Sequence, residues 1–189
     1  LELSLLTLDG KFLTRVIIVH TKSKGIFDKV DYARFEQISQ RDRLRQFGEC
    51  MHIRERCDQY LAKGQQVLVM GDINDGFELD FYENKFSKSA VELLLGSSWK
   101  PEWILKAALP KPKLTAYGWT PYSSKFKDRI TGDIFNVLID HILVSQGLKI
   151  LKGEVWNPIL EKDNPEIQSV KNQLIRASDH YPIVAEIET

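Results

Sequence analysis

The sequence predicts one domain that mixes helix and strand, of the α+β class, and three observations carry that expectation. Two β-prone runs open the chain around an Asp-Gly pair, a long amphipathic period follows from about Tyr32 to Ala62, and the chain closes on the alternating run "IVAEIE". A length of 189 residues is enough for one sizeable core. No internal repeat or low-complexity linker divides it, so a single domain over residues 1–189 is expected.

At the start, "LELSLLTL" and "FLTRVIIVH" flank Asp9-Gly10, a pair suited to a hairpin because the centre of that turn wants positive φ. In the helical span, Phe47, Cys50, Cys57, Tyr60 and Leu61 fall on an apolar side, and Gly64 closes the helix. Cys50 and Cys57, seven residues apart on one helix, stand about 10 Å from each other, too far for a disulfide. Buried or half-buried thiols are expected, which favours a reducing, cytoplasmic compartment. "QQVLVMGD" returns to strand. A second helix fits Asp80 to Leu95, with Val91, Leu94 and Leu95 on its apolar side and Gly96 at its end. Prolines and glycines break any period from residue 97 to about 136, and that stretch reads as long loop. "FNVLIDHILVS" reads as one β run, "EKDNPE" as a polar loop, and Ile183, Ala185 and Ile187 as one apolar face of the last strand.

Lysine plus arginine balances aspartate plus glutamate at 26 each, so attraction for phosphates must come from a local patch rather than a global basic field. The apolar runs are only a few residues long, so no membrane span is expected, and the opening residues read as neither signal peptide nor anchor.

Four segments place a hydrophobic strand against a polar cluster: "RVIIVHTKSK", "VLVMGDINDG", "VLIDHILVS" and "RASDHYPIVAEI". Residues two apart in an extended segment point the same way, so Asp72 and Asn74 are expected to face one site while Ile73 packs behind them. Their oxygens suit a hard divalent cation such as Mg²⁺ and the oxygens of a phosphate. Each cluster also has a plain structural reading. Asn-Asp-Gly is good turn chemistry, His20 can be a satisfied strand-end histidine, Asp140-His141 one inward and one outward residue, and Ser178-Asp179-His180 a turn. The ordered coincidence of all four tips the balance toward chemistry.

That ordered set resembles the endonuclease/exonuclease/phosphatase superfamily, typified by deoxyribonuclease I, and the resemblance runs from about residue 3 to 188. Its carriers are "HTKSK", "GDIND", "IDHILVS" and "SDHYPI". The resemblance implies a deoxyribonuclease I-like four-layer α/β/β/α sandwich and a phosphoester hydrolase, most simply a phosphodiesterase or nuclease, dependent on Mg²⁺ or Mn²⁺. It further implies that His180 contacts the scissile phosphate and exchanges protons there, with Asp140 holding its tautomer and favouring its protonated form. Asp72 and Asn74 would orient water and phosphate and, with Asp179, bind metal, while His20 would support developing charge. Ser178 would fix a turn, and His141, Asp75 and the surface residue His52 fall outside the implied site.

The family pattern also has an earlier half with an asparagine and a metal-binding glutamate, which this sequence does not contain. The chain is therefore expected to be a C-terminal portion with the N-terminal part of the sandwich missing, an exposed apolar edge or face and one metal ligand fewer. Nucleic acid is the expected partner, because Lys111 to Arg129 mixes Tyr117, Trp119, Tyr122 and Phe126 with lysines that can grip a backbone and stack on bases. A solvated loop with ordinary aromatic anchors explains that stretch equally well. Two other readings stay open: a phosphomonoesterase or lipid phosphodiesterase on the same scaffold, and an inactive binding module.

Overall fold

The computed structural model describes residues 1–26, 30–77, 79, 83–116, 118–127 and 132–188. It is mixed α+β. The opening hairpin forms as its Asp-Gly pair predicts: β1 (Glu2–Leu6) pairs antiparallel with β2 (Phe12–His20), and Gly10 takes φ 84° in the turn. Helix α1 (Tyr32–Leu61) then crosses over about 45 Å at 1.5 Å per residue, capped at Asp31, whose carboxylate accepts from the Arg34 N–H. Such a crossover returns the chain parallel, and β3 (Val67–Asp72) does lie parallel to β2.

Helix α2 is shorter than the sequence predicts and covers Ala90–Leu95 only. Ser89 accepts from the Glu92 N–H while the Glu92 carboxylate accepts from the Ser89 N–H, a capping box that starts the helix there; a 3₁₀ turn at Glu83–Lys85 precedes it. Residues 80–82 of the expected span lie outside the described residues.

The stretch from residue 97 to 136 is not simply loop. It supplies β4 (Lys106–Ala107), β5 (Lys113–Thr115), β6 (Gly118–Thr120), β7 (Ser124–Lys127) and β8 (Ile134–Val137). These strands are too short to show a period in the sequence. The run "FNVLIDHILVS" is likewise two strands, β8 and β9 (Asp140–Val144), broken at Leu138-Ile139 where the chain passes from a four-stranded sheet, β5-β6-β8-β7, into a five-stranded one. β10 (Lys149–Val155) follows, then α3 (Pro165–Ser169), α4 (Lys171–Ala177) and β11 (Ile183–Glu188). The "polar loop" thus holds a helix start: the Asn164 side chain accepts from the Glu166 and Ile167 N–H groups and Pro165 occupies the first turn.

The five-stranded sheet has the order β1-β2-β3-β9-β4. Alternation along its strands sends side chains to two cores. Ile17, Val67, Val69 and Leu143 pack with Cys50, Cys57 and Tyr60 of α1 and Val91 and Leu94 of α2. Val16, Leu68, Ile142 and Val144 face the other way, onto Ile150, Ile183, Ala185 and Ile187 of the antiparallel pair β10-β11. The apolar face expected of the last strand is the one that packs there. Both cysteines are free, and burial pushes each thiol up to about 12. Leu3 and Leu5 on the edge strand β1, and Ile18 beside them, stay exposed. No helix among the described residues is long and apolar enough to cross a membrane.

Candidate functional site

Strand register assembles the site. His20 is the last residue of β2, Asp72 the last of β3 and Asp140 the first of β9, and the pairing sets His20 opposite Asp72 and Asp72 opposite Asp140. Three polar residues therefore form one row across the end of the sheet, each carried by a buried apolar strand. Gly71 permits the close packing of β2 on β3. A Cβ there would stand 2.1 Å from the Val19 carbonyl oxygen, and φ is 133°, a value side-chain-bearing residues rarely adopt.

His180 arrives from the segment before β11. The Ser178 hydroxyl accepts from the His180 N–H at 3.0 Å, the turn-fixing role expected of that serine. The ring meets Asp140 at 2.8 Å, with Nδ1–H donating to Oδ2. This leaves Nε2 as the nitrogen that can face a substrate. On the other flank, His20 Nε2 lies 3.5 Å from Asp72 Oδ2. His20 is open to solvent, whereas Asp72, Asp140 and His180 are half-buried.

Asn74 does not meet Asp72 as the next alternating residue of a strand. The strand stops at Asp72, Asn74 turns into the left-handed region at φ 53°, and its N–H donates to Asp72 Oδ1 at 2.8 Å. Its amide Nδ2 donates to the Thr21 carbonyl at 3.0 Å. The Gln46 amide holds the turn from α1, donating to the Ile73 and Asn74 carbonyls at 3.0 Å each. Ile73 is fully buried behind it, as expected.

Ligand atoms of Asp72, Asp140 and His180 lie within 4.8 Å of one another. Burial raises the Asp72 pKa above the ordinary carboxylate value, the Asp140 charge adds to the rise, and the Asn74 N–H, His180 and His20 oppose it. Two half-buried carboxylates that repel each other fit a divalent cation with a preference for oxygen ligands. Asp179, an expected metal ligand, is not in this group: it is exposed, with Oδ1 3.4 Å from the Ser178 hydroxyl.

Several supports were not visible in the sequence reading. Buried Ser123 accepts the Ile139 and Asp140 N–H groups at 3.2 Å and its carbonyl accepts from the Tyr181 N–H, while the Ser124 hydroxyl donates to the Asp179 carbonyl. The serine pair thus ties the Asp140 strand to the His180 segment. Lys24, from "HTKSK", forms ion pairs with buried Asp75 and Glu83. Burial by itself lowers the Lys24 pKa, but the two carboxylates win and raise it. Lys22 joins Asp42 of α1 at 3.0 Å. His141 is buried beside Asp75, its Nε2 2.9 Å from the Asp75 carbonyl, and burial lowers its pKa. Asp75 and His141 therefore brace the site from behind. His52 is exposed on α1, as expected. Tyr117 and Arg129 of the expected aromatic stretch lie outside the described residues. Comparison with models of known families, with curated proteins and with solved structures finds no match for the chain.

Proposed function

We propose that this protein is a divalent-metal-dependent phosphoester hydrolase, a phosphodiesterase of the nuclease kind, on a deoxyribonuclease I-like sandwich. The observation that carries the reading is the single row His20, Asp72, Asp140 with His180 bonded to Asp140. Helices on one face of the large sheet and β10-β11 on the other support the fold assignment.

The reaction brings two anions together, so positive charge at the row lowers the barrier. His180, held through Nδ1 by Asp140, presents Nε2 to a phosphate oxygen or to the attacking water and moves a proton there. Asp72 and Asp140 would hold Mg²⁺ or Mn²⁺, which when bound supplies charge that offsets the repulsion between phosphate and nucleophile. Asn74 borders the same end of the sheet, and His20, exposed at the flank, meets the charge that grows on the phosphate or leaving oxygen.

Hydrolysis of DNA, RNA, inositol phosphates and sphingomyelin with Mg²⁺ tests the reading. Cleavage of nucleic acid that falls at least about a hundredfold in both Asp72→Ala and His180→Ala is expected, the loss typical of a general acid or base. Activity confined to the monoester or lipid substrates refutes the nuclease assignment. Absence of hydrolysis on every substrate refutes the hydrolase reading of this chain.

A further inference from the structure

A cavity of about 410 Å³ opens beside the row, a size within the range of small-molecule sites. Phe77, Trp119, Phe126 and Phe135 line it, together with Lys24, which is paired with Asp75 and Glu83, and Arg43, which donates to the Ser39 carbonyl. Asn74 and Ile139 belong to the same wall. Asn74 bonds directly to Asp72, and Ile139 is the chain neighbour of Asp140, about 3.8 Å away between Cα atoms. The cavity is therefore within one nucleotide's span of the row.

We propose that this cavity receives the base of the nucleotide whose phosphate lies at the row, an inference that rests on the phosphodiesterase reading above. Four aromatic side chains line the cavity, the residue type on which bases stack. Aromatic sites also accept a quaternary ammonium such as choline, so phosphocholine is the competing ligand in the test. A base inside the cavity cannot be stacked in a duplex, so the substrate is a nucleotide that is single-stranded, terminal or turned out of its helix.

Isothermal titration of the whole chain in Mg²⁺ compares adenosine 5′-monophosphate, ribose 5-phosphate and phosphocholine, monoesters with no diester bond to cleave. The nucleotide is expected to bind at least about tenfold more tightly than the sugar phosphate, the scale of one base stacked on an aromatic side chain. Trp119→Leu and the exposed-site variant Phe126→Ser, each checked for folding by circular dichroism, are expected to erase that advantage. Equal binding of nucleotide and sugar phosphate, no binding of either, or tighter binding of phosphocholine overturns the inference. If nucleic acid is still cleaved in that case, the hydrolase reading stands without a base pocket. Base-dependent binding by a chain that cleaves no nucleic acid upholds the pocket and removes the nuclease reading.

Discussion

Replacing Gly71 by alanine perturbs the contact on which the row depends. The added Cβ would start 2.1 Å from the Val19 carbonyl oxygen and 3.1 Å from its carbon, backbone atoms that cannot swing aside, so β2 and β3 must part by more than ~1 Å to reach ordinary contact. At φ 133° the alanine also carries a backbone cost of about 1–3 kcal/mol. Parting the strands loosens the nearby ladder, including the Thr21 N–H bond to the Asp72 carbonyl at 3.0 Å, and each weakened bond removes about 1 kcal/mol. With that bond lost the total comes to about 2–4 kcal/mol, a large part of the stability of a small domain at its lower range. Gly10→Ala is the internal control: its φ is 84° and nothing lies within 4 Å of its Cβ, so only a backbone cost of about 1 kcal/mol is expected. Urea unfolding followed by circular dichroism measures both variants at matched m-values. If Gly71→Ala costs no more than Gly10→Ala, the close approach of β2 and β3, and with it the register of His20 on Asp72, is refuted.

Asp72→Asn is expected to stabilise the fold at neutral pH while abolishing hydrolysis. Because burial and Asp140 hold the folded-state pKa of Asp72 above 3.8, its ionisation costs the folded state once pH exceeds that raised value and costs nothing below 3.8. The rise in Tm should therefore be present at pH 7 and absent at about pH 3; a fall in Tm at pH 7 contradicts the assignment. Ser123→Ala removes the side-chain acceptor of the half-buried Ile139 and Asp140 N–H groups and should cost about 1 kcal/mol in urea unfolding, with hydrolysis reduced as Asp140 loses its anchor. Cys50 and Cys57, with thiols pushed up to about 12, should resist an aromatic disulfide reagent at pH 8 in the folded chain and react fully in denaturant. Fast labelling of the folded protein would show that the core beneath α1 is open.

The sequence made legible what a period or a turn pair encodes, and it left obscure what depends on polar atoms brought from far away. The hairpin at Asp9-Gly10, the helix from Tyr32 and the strand ending at Asp72 each bury a repeating apolar face, so their pattern is visible in one dimension. The first half of α1 shows the limit. Its buried face continues through Ser39, Asp42, Arg43 and Gln46, at the same helical spacing as Cys50 and Cys57, but with polar residues. Counting apolar residues alone stops the face at Phe47. These polar positions are buried because they have partners: Asp42 takes Lys22, and Gln46 takes the carbonyls of the Asn74 turn. The same holds for Ser123 and Ser124, which sit among residues too short in period to read as strand yet join Asp140 to His180. Polar residues at helical spacing that precede an apolar stripe, or a buried Ser-Ser between short strands, are thus the one-dimensional trace of a helix or strand that serves a site rather than only a core. Here both traces lead to the same end of one sheet, the end where His20, Asp72 and Asp140 stand in line.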